Sequence, residues 1–471
     1  MKRLNELIEC SYDIEISGVK SDSRMVKPGD LFVAVKGFYK DHYEFIDEAI
    51  KNGAVAIISD RKVNLNVISI IVDDVNKSYF DIIKKFYNNI DKNFSLVGIT
   101  GTDGKTTTAT IVSKLLTDCC YIGTNGVCYK EKKFDTENTT PDISVVYDIM
   151  NKMVVEKCQN IAMEVSSEAL LHERVNGLQY SVVGFTNITE DHLNIHGTLD
   201  NYIKCKAKIL NMLKDNGIAV FNIDDNNLSK LVKKCKRKFY TYGINCNADF
   251  RICKAKCDEF GVSFEIKFDG KSYLINSPLI GLYNVYNITL SFIICYVMGL
   301  DTDYIISNLK NIDVVDGRCE KLDFGQKFNI ILDYAHTENG IKNLLSNIKK
   351  IYKEGKLIVV SGSAGGRERE KRSGMGKMIF KYSDYSIFTM DDPRYEDVNS
   401  IIDDLIGDYK GNNFERIIDR SKAIKRAISL ARKNDTVVIM GKGRDNYMAI
   451  LDKKYKYSDY DVLMGIFSQK Q

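Results

Sequence analysis

Seven times along this chain a short run of β-branched and aliphatic residues stops abruptly in polar residues or glycine. Phe94–Thr100 runs into Gly101-Thr102-Asp103-Gly104, Ile161–Val165 into Ser166-Ser167, and Val182–Phe185 into Thr186-Asn187. Further on, Ile330–Leu332 precedes Asp333-Tyr334-Ala335-His336, and Leu357–Val360 precedes Ser361-Gly362. Ile387–Phe388 leads to Asp391-Asp392-Pro393-Arg394, and Val437–Met440 to Gly441-Lys442-Gly443. Runs this apolar, separated by segments of helical spacing, read as strands buried on both faces, which is the condition of a parallel sheet covered by helices. The expected class is α/β. Ligands of such sheets bind beyond the carboxyl ends of the strands, and the polar motifs collect there, so the pattern also points to an enzyme.

At 471 residues the chain has room for about three domains. Its 44% hydrophobic and 28% charged content is that of an ordinary globular protein. The 67 Lys and Arg stand against 63 Asp and Glu, and a net charge of +4 argues against a general nucleic-acid binder. Charges interrupt the first residues, which therefore do not read as a signal peptide. The most apolar stretch, Leu290 to Leu300, is about half a bilayer span. The 12 cysteines lack paired spacing, so reduced thiols in a cytoplasmic protein are expected, without a zinc site. The polar stretch Asn88–Asn93 closes a first unit, and the domains are placed at 1–93, 94–316 and 317–471.

Gly101-Thr102-Asp103-Gly104-Lys105-Thr106-Thr107 follows a strand and opens a segment with helical spacing at Ala109, Val112, Leu115 and Leu116. A glycine-rich turn lets backbone N–H groups wrap phosphates, and the helix N-terminus adds positive potential. On this reading Lys105 reaches the β- and γ-phosphates of ATP and the Thr106 hydroxyl sits on Mg²⁺. The strict motif requires glycine where Ile99 stands, with Gly98 one residue early.

The loop form Thr-Gly-Thr-x-Gly-Lys-Thr resembles that of the Mur ligase superfamily, and the likeness continues along nearly the whole chain. Ser21-Asp22-Ser23-Arg24, Pro28-Gly29-Asp30, Gly37, Asp41-His42 and Gly53-Ala54 look like the uridine-nucleotide domain of the MurE-type ligases. Asn138-Thr139-Thr140-Pro141, Met163-Glu164-Val165-Ser166-Ser167 and Asp191-His192-Leu193-Asn194 follow in order. Asp333-Tyr334-Ala335-His336-Thr337, Gly365-Gly366-Arg367, Asp391-Asp392-Pro393-Arg394 and Gly441-Lys442-Gly443 complete the series.

The resemblance implies an ATP-dependent amide-bond-forming ligase of three domains: an N-terminal uridine-nucleotide-binding α/β domain, a central P-loop ATPase-like parallel-sheet domain, and a C-terminal Rossmann-like domain. ATP, Mg²⁺, UDP-MurNAc-L-Ala-D-Glu and a diamino acid are the implied ligands of a cytoplasmic monomer that neither binds nucleic acid nor enters a membrane. Beside the loop, it places Asn284, Arg318 and Asp333 at ATP, with Arg318 acting much as an arginine finger. Glu164 and His192 are implied as magnesium ligands with Thr106. Lys206, four residues after Tyr202 in His196-Gly197-Thr-Leu-Asp-Asn-Tyr202, is implied as a carbamate that helps hold the metal. Lys204 and Lys208 alternate with it and keep the register open. Ser23, Thr139, Thr140, Ser166, His172 and Arg174 fall on positions for the UDP-MurNAc-dipeptide. Arg367, Asp391, Asp392, Pro393, Arg394, Gly441 and Asp445 fall on positions for the incoming amino acid.

Departures from the family pattern concentrate around the substrates: Glu168 stands for His, His172 for Gln, Asp392 for Asn, and Arg444-Asp445 for His-Glu. Two arginines suit the two carboxylates of meso-diaminopimelate, because a guanidinium binds a carboxylate with both prongs. An extra acid at 392 would repel a carboxylate and keeps L-lysine open. A folylpolyglutamate synthase-like ligase and a non-catalytic nucleotide-binding paralogue are the remaining alternatives.

Overall fold

The computed structural model describes residues 1–37, 41–63, 66–244, 247–312 and 315–468. All seven apolar runs are strands, with ends shifted by a residue or two: Ser95–Thr100, Asn160–Glu164, Tyr180–Phe185, Asn329–Asp333, Leu357–Ser361, Tyr385–Phe388 and Thr436–Met440. Each pairs in parallel with at least one neighbour.

Three main sheets result. Val19–Lys20, Leu31–Val33, Ala56–Ser59 and Ile68–Ile71 make a small parallel sheet. In the second, 11-stranded sheet, Ser95–Thr100 lies between Asn160–Glu164 and Tyr180–Phe185. Glu164 sits beside Ile99, and Phe185 beside Thr100, so these strands end level at one edge. The third sheet has six strands, and only its edge strand Glu320–Leu322 runs antiparallel.

The core follows from the strand pattern. On one face of the large sheet Val97 and Ile99 pack against Ile111 and Val112 of the loop's own helix and Leu290 and Ile293 of Tyr283–Val297. On the other, Leu96, Ile161 and Met163 meet Tyr147 and Met150, and the same core continues to Leu31 and Val33 of the first sheet. The first and second sheets are thereby welded through shared apolar burial, which falls rapidly in value if either withdraws. Phe250–Asp258, Gly261–Phe268 and Lys271–Ser277 extend the large sheet as an antiparallel meander that the apolar runs do not announce. The alternation of buried Ile252 and exposed Arg251 is its signal in the sequence. Among the described residues no helix is long and apolar enough to cross a membrane.

Candidate active site

The loop after Ser95–Thr100 takes a backbone that favours glycine: φ is 147° at Gly101 and 84° at Gly104. A Cβ on Gly101 would strike Thr186 Oγ1, and one on Gly104 would strike Asn287 Oδ1. The Asn187 side chain accepts from the Asp103 N–H at 3.0 Å and donates to its carbonyl at 3.1 Å. Helix Lys105–Leu115 begins at once, so its free N–H groups open onto the loop. Lys105 Nζ donates to the carbonyls of Gly101 (2.9 Å) and Thr102 (2.7 Å). Burial pushes its pKa down.

Thr106 connects three elements. Its hydroxyl donates to Glu164 Oε2 at 3.0 Å and accepts from Arg318 Nη2 at 2.9 Å. Glu164, fully buried at its strand end, is aimed by the Tyr121 hydroxyl at 2.5 Å and the Thr124 N–H at 2.9 Å, both on Oε1. His192 Nε2 lies 3.4 Å from Asp191 Oδ2, and Nδ1 lies 3.9 Å from Glu168 Oε1. Burial dominates and lowers the His192 pKa to about 4, so the imidazole is neutral at neutral pH and keeps a lone pair.

The structure separates the three alternating lysines. Lys206 is 1% exposed, whereas Lys204 and Lys208 face solvent. Its Nζ donates to the Gly101 carbonyl at 2.8 Å and lies over the Tyr202 ring, one helical turn back in Leu199–Ala207. Burial, then the neighbouring Lys105 charge, drive its pKa well down. A neutral amine is thereby favoured.

These groups meet in one cleft of about 320 Å³. Lys105, Thr106, Glu164, His192, Lys206 and Arg318 line it, together with Thr139, Ser166, Arg174 and Arg367. Glu168 stands among the last groups, 3.9 Å from each of Arg174, His192 and Arg367. Hard oxygen donors on Thr106 and Glu164 beside a phosphate loop suit Mg²⁺. Among the described residues no three His, Cys, Asp or Glu side chains form a cage for a metal, the arrangement expected when an ion is held largely by substrate phosphates and water.

Other expected residues stand off the cleft. Ser23 is buried, and its hydroxyl donates to Glu48 Oε2 at 2.5 Å. Thr140, also buried, donates to the Glu164 carbonyl at 2.9 Å and accepts from the Ser166 N–H at 3.0 Å, fixing the strand end between them. Asn284 donates to the Ile280 carbonyl and accepts from Asn287, which itself reaches Gly104. Asp333 accepts the Cys319 and Ala335 N–H groups, both at 2.6 Å, and so holds the turn carrying Arg318. Burial raises its pKa.

The amino-acid set is split. Arg367 lines the cleft, while Asp445 lines an adjoining one of about 620 Å³ that shares Thr124, Glu137 and Tyr334 with it. Arg394 lies beside Gly366, with φ 52° and its N–H on the Ala449 carbonyl. Among the described residues no carboxylate oxygen lies within 4.0 Å of its guanidinium. Arg394, Asp391, Asp392, Pro393 and Gly441 line neither cleft.

Asp392 does not confront the substrate with a bare charge, because Lys442 Nζ donates to it at 2.8 Å and the Ala449 N–H at 2.9 Å. Lys442 is fully buried and also faces Asp391 at 3.6 Å and Asp445 at 3.7 Å. One ammonium shared by three carboxylates softens the repulsion at Asp392 and leaves the cluster net negative. The reading of the sequence missed Lys442 although it lies inside the Gly-Lys-Gly motif. It also missed His336, Thr337 and Tyr202, which line the cleft, and Tyr121, for which no motif speaks.

This fold and site define a phosphate-loop α/β protein in which a third sheet delivers an arginine onto the loop. The chain belongs to the Mur ligase family. Residues 15–88 match the model for the Mur ligase family catalytic domain, 99–295 the Mur ligase middle domain, and 317–443 the Mur ligase glutamate ligase domain. A UDP-N-acetylmuramoyl-L-alanyl-D-glutamate–2,6-diaminopimelate ligase of Syntrophomonas wolfei is 36% identical over 476 residues, covering 99% of this chain and 97% of its own. The protein of that name from Clostridioides difficile is 36% identical over 97% of this chain and 96% of its own. A solved structure of a ligase of the same name superposes with a TM-score of 0.68 at 26% identity, covering 100% of this chain and 99% of the other.

Proposed function

We propose that the chain joins meso-diaminopimelate to the D-glutamyl carboxylate of UDP-MurNAc-L-Ala-D-Glu at the expense of ATP. The observation that carries the reading is the single cleft in which Lys105, Thr106 and Arg318 face Thr139, Ser166 and Arg174 on one side and Arg367 on another. A further cavity of about 290 Å³, lined by Ser21, Lys36, His42 and His172, shares Glu168 and Arg174 with that cleft and suits the nucleotide-sugar end of the substrate. The chain divides accordingly into a uridine-nucleotide domain (1–93), an ATP domain (94–316) and an amino-acid domain (317–471).

The substrate carboxylate attacks the γ-phosphorus, ADP leaves, and an acyl phosphate forms. The incoming amine then attacks the acyl carbon, giving the amide and inorganic phosphate. Bringing a carboxylate to a triphosphate requires cations, and phosphoryl transfer needs positioning and charge neutralisation more than covalent help. Lys105 and Arg318, which line the same cleft as Thr106, supply that charge. Thr106, Glu164, His192 and carbamylated Lys206 would hold Mg²⁺, which offsets phosphate charge when bound. Arg174 and Arg367 orient the two substrates' carboxylates. ADP release that depends on both UDP-MurNAc-L-Ala-D-Glu and meso-diaminopimelate tests the reading, and equal or better use of L-lysine would refute the amino-acid assignment.

Arg367 and Arg394 present two forks, one more than a single α-carboxylate uses. Arg394→Ala should lower kcat/KM for meso-diaminopimelate by about 30- to 1000-fold, or roughly 2–4 kcal/mol for one charge-assisted contact in a closed site. L-lysine, lacking the distal carboxylate, should suffer far less, and an equal loss for both would remove Arg394 from the specificity site.

Burial raises the Asp445 pKa to about 6, opposed by Lys442 and reinforced by Asp391 and Asp392. An ionised Asp445 can receive a substrate ammonium; a protonated one cannot. Thus kcat/KM for the diamino acid should fall as pH is lowered through about 6, and Asp445→Asn should flatten that limb. An unchanged acid limb in the variant assigns the titration elsewhere.

A further inference from the structure

We infer that Arg444, acting through Glu320, is a positioning residue for Arg318 and hence for phosphoryl transfer. This rests on the reading of Arg318 as a phosphate-side cation, and it assigns a task to a residue that departs from the family pattern.

Arg318 sits in a short turn between Val315 and Glu320, and its N–H donates to the Val315 carbonyl at 2.9 Å. Gly317 has φ 67°, and a Cβ there would strike the Tyr334 ring, so the turn is pressed against the third sheet. Asn125 and Lys133 of the central domain reach Asp316 at 3.4 and 3.6 Å, and the holds on Gly317 and Cys319, which flank the arginine, come from the third sheet. The Gly317 N–H donates to Glu320 Oε2 at 2.8 Å, its carbonyl accepts from the Tyr334 N–H at 3.0 Å, and Asp333 takes the Cys319 N–H. The Arg318 guanidinium lies over the Tyr334 ring at 4.8 Å before it reaches Thr106, and its buried Nε has no protein partner.

Glu320 is the one acceptor in this set that an external group must aim. Arg444 does so with both prongs: Nε donates to Oε2 at 2.8 Å and Nη2 to Oε1. The back of its guanidinium is covered by the Tyr460 ring at 3.6 Å. A planar fork stacked on an aromatic ring has little freedom, so it fixes Glu320, and Glu320 fixes the Gly317 N–H. Arg444 also follows Lys442 by two residues and precedes Asp445, so one loop carries both the lysine–carboxylate cluster and the brace on Arg318.

A misplacement of about 1 Å at a reacting group can cost on the order of 100-fold in rate. Arg444→Ala should therefore slow acyl-phosphate formation, measured with ATP and UDP-MurNAc-L-Ala-D-Glu alone and trapped by hydroxylamine as the hydroxamate, by about 10- to 100-fold. Leaving out the amino acid separates this effect from any on amino-acid binding. In an Arg318→Ala background the same substitution should change the rate by less than about threefold, because the residue it acts through is gone. Arg444→Lys, which keeps the charge but not the fork, should show the same dependence on Arg318 and serves if the alanine variant does not fold. Equal losses in both backgrounds, or an unchanged trapping rate in folded Arg444→Ala and Arg444→Lys, would overturn the inference. Full activity of Arg318→Ala by itself would instead overturn the reading of Arg318.

Discussion

Lys105→Ala is expected to fold and to lose at least about 10³-fold in kcat, the scale of removing a principal phosphate cation from a phosphoryl-transfer site. Folding should survive because the ammonium's hydrogen bonds go to two carbonyls of its own loop and hold no distant element. Losing those bonds costs about 1–3 kcal/mol at most and is partly offset by relief of a buried charge. Thermal unfolding of the variant checks the first half of this expectation and a single-turnover assay the second. Near wild-type turnover in a folded Lys105→Ala protein would remove the loop from the phosphate site.

Lys206→Ala should be slowed by on the order of 10²- to 10³-fold, comparable with deleting one preorganised charge-stabilising group. Lys204→Ala and Lys208→Ala should be close to wild type, because both side chains face solvent. The mechanism predicts more than a loss. Carbamylation consumes a neutral amine and CO₂, and the buried, pKa-depressed Lys206 supplies the amine. Depleting bicarbonate should lower activity reversibly, and short carboxylic acids should restore part of the activity of Lys206→Ala by returning an anion near Mg²⁺. With labelled bicarbonate a carbamate ¹³C resonance should appear in wild type and vanish in Lys206→Ala. Its persistence in the variant would place the carbamate on another lysine.

The parallel frame was legible because strands buried on both faces have little choice of residue: Leu96–Ile99 and Val437–Met440 carry no polar side chain. The meander from Phe250 to Ser277 was not, since half its residues are wet and its period-two signal is diluted by surface residues. The phosphate loop was legible from its own glycines and lysine between a strand and a helix. Glu164, His192 and Lys206 were picked out by the family resemblance. The pairing of Asp392 was not legible because its partner, Lys442, is 50 residues away.

What the sequence by itself determined is therefore the strand frame, the phosphate loop at its edge, and the residue types gathered beyond the carboxyl ends. Short-range rules suffice for these: apolar runs must be buried, glycine admits positive φ, and a helix start presents free N–H groups. Only the tertiary structure decided the charge state and aim of those residues. Lys206 differs from Lys204 and Lys208 by burial, Asp392 is paired with a distant buried lysine, and Arg318 meets Thr106 from a turn that Glu320 and Arg444 brace. Burial and charge pairing are properties of neighbours in space, and their partners lie tens to hundreds of residues apart along the chain, so no local pattern encodes them.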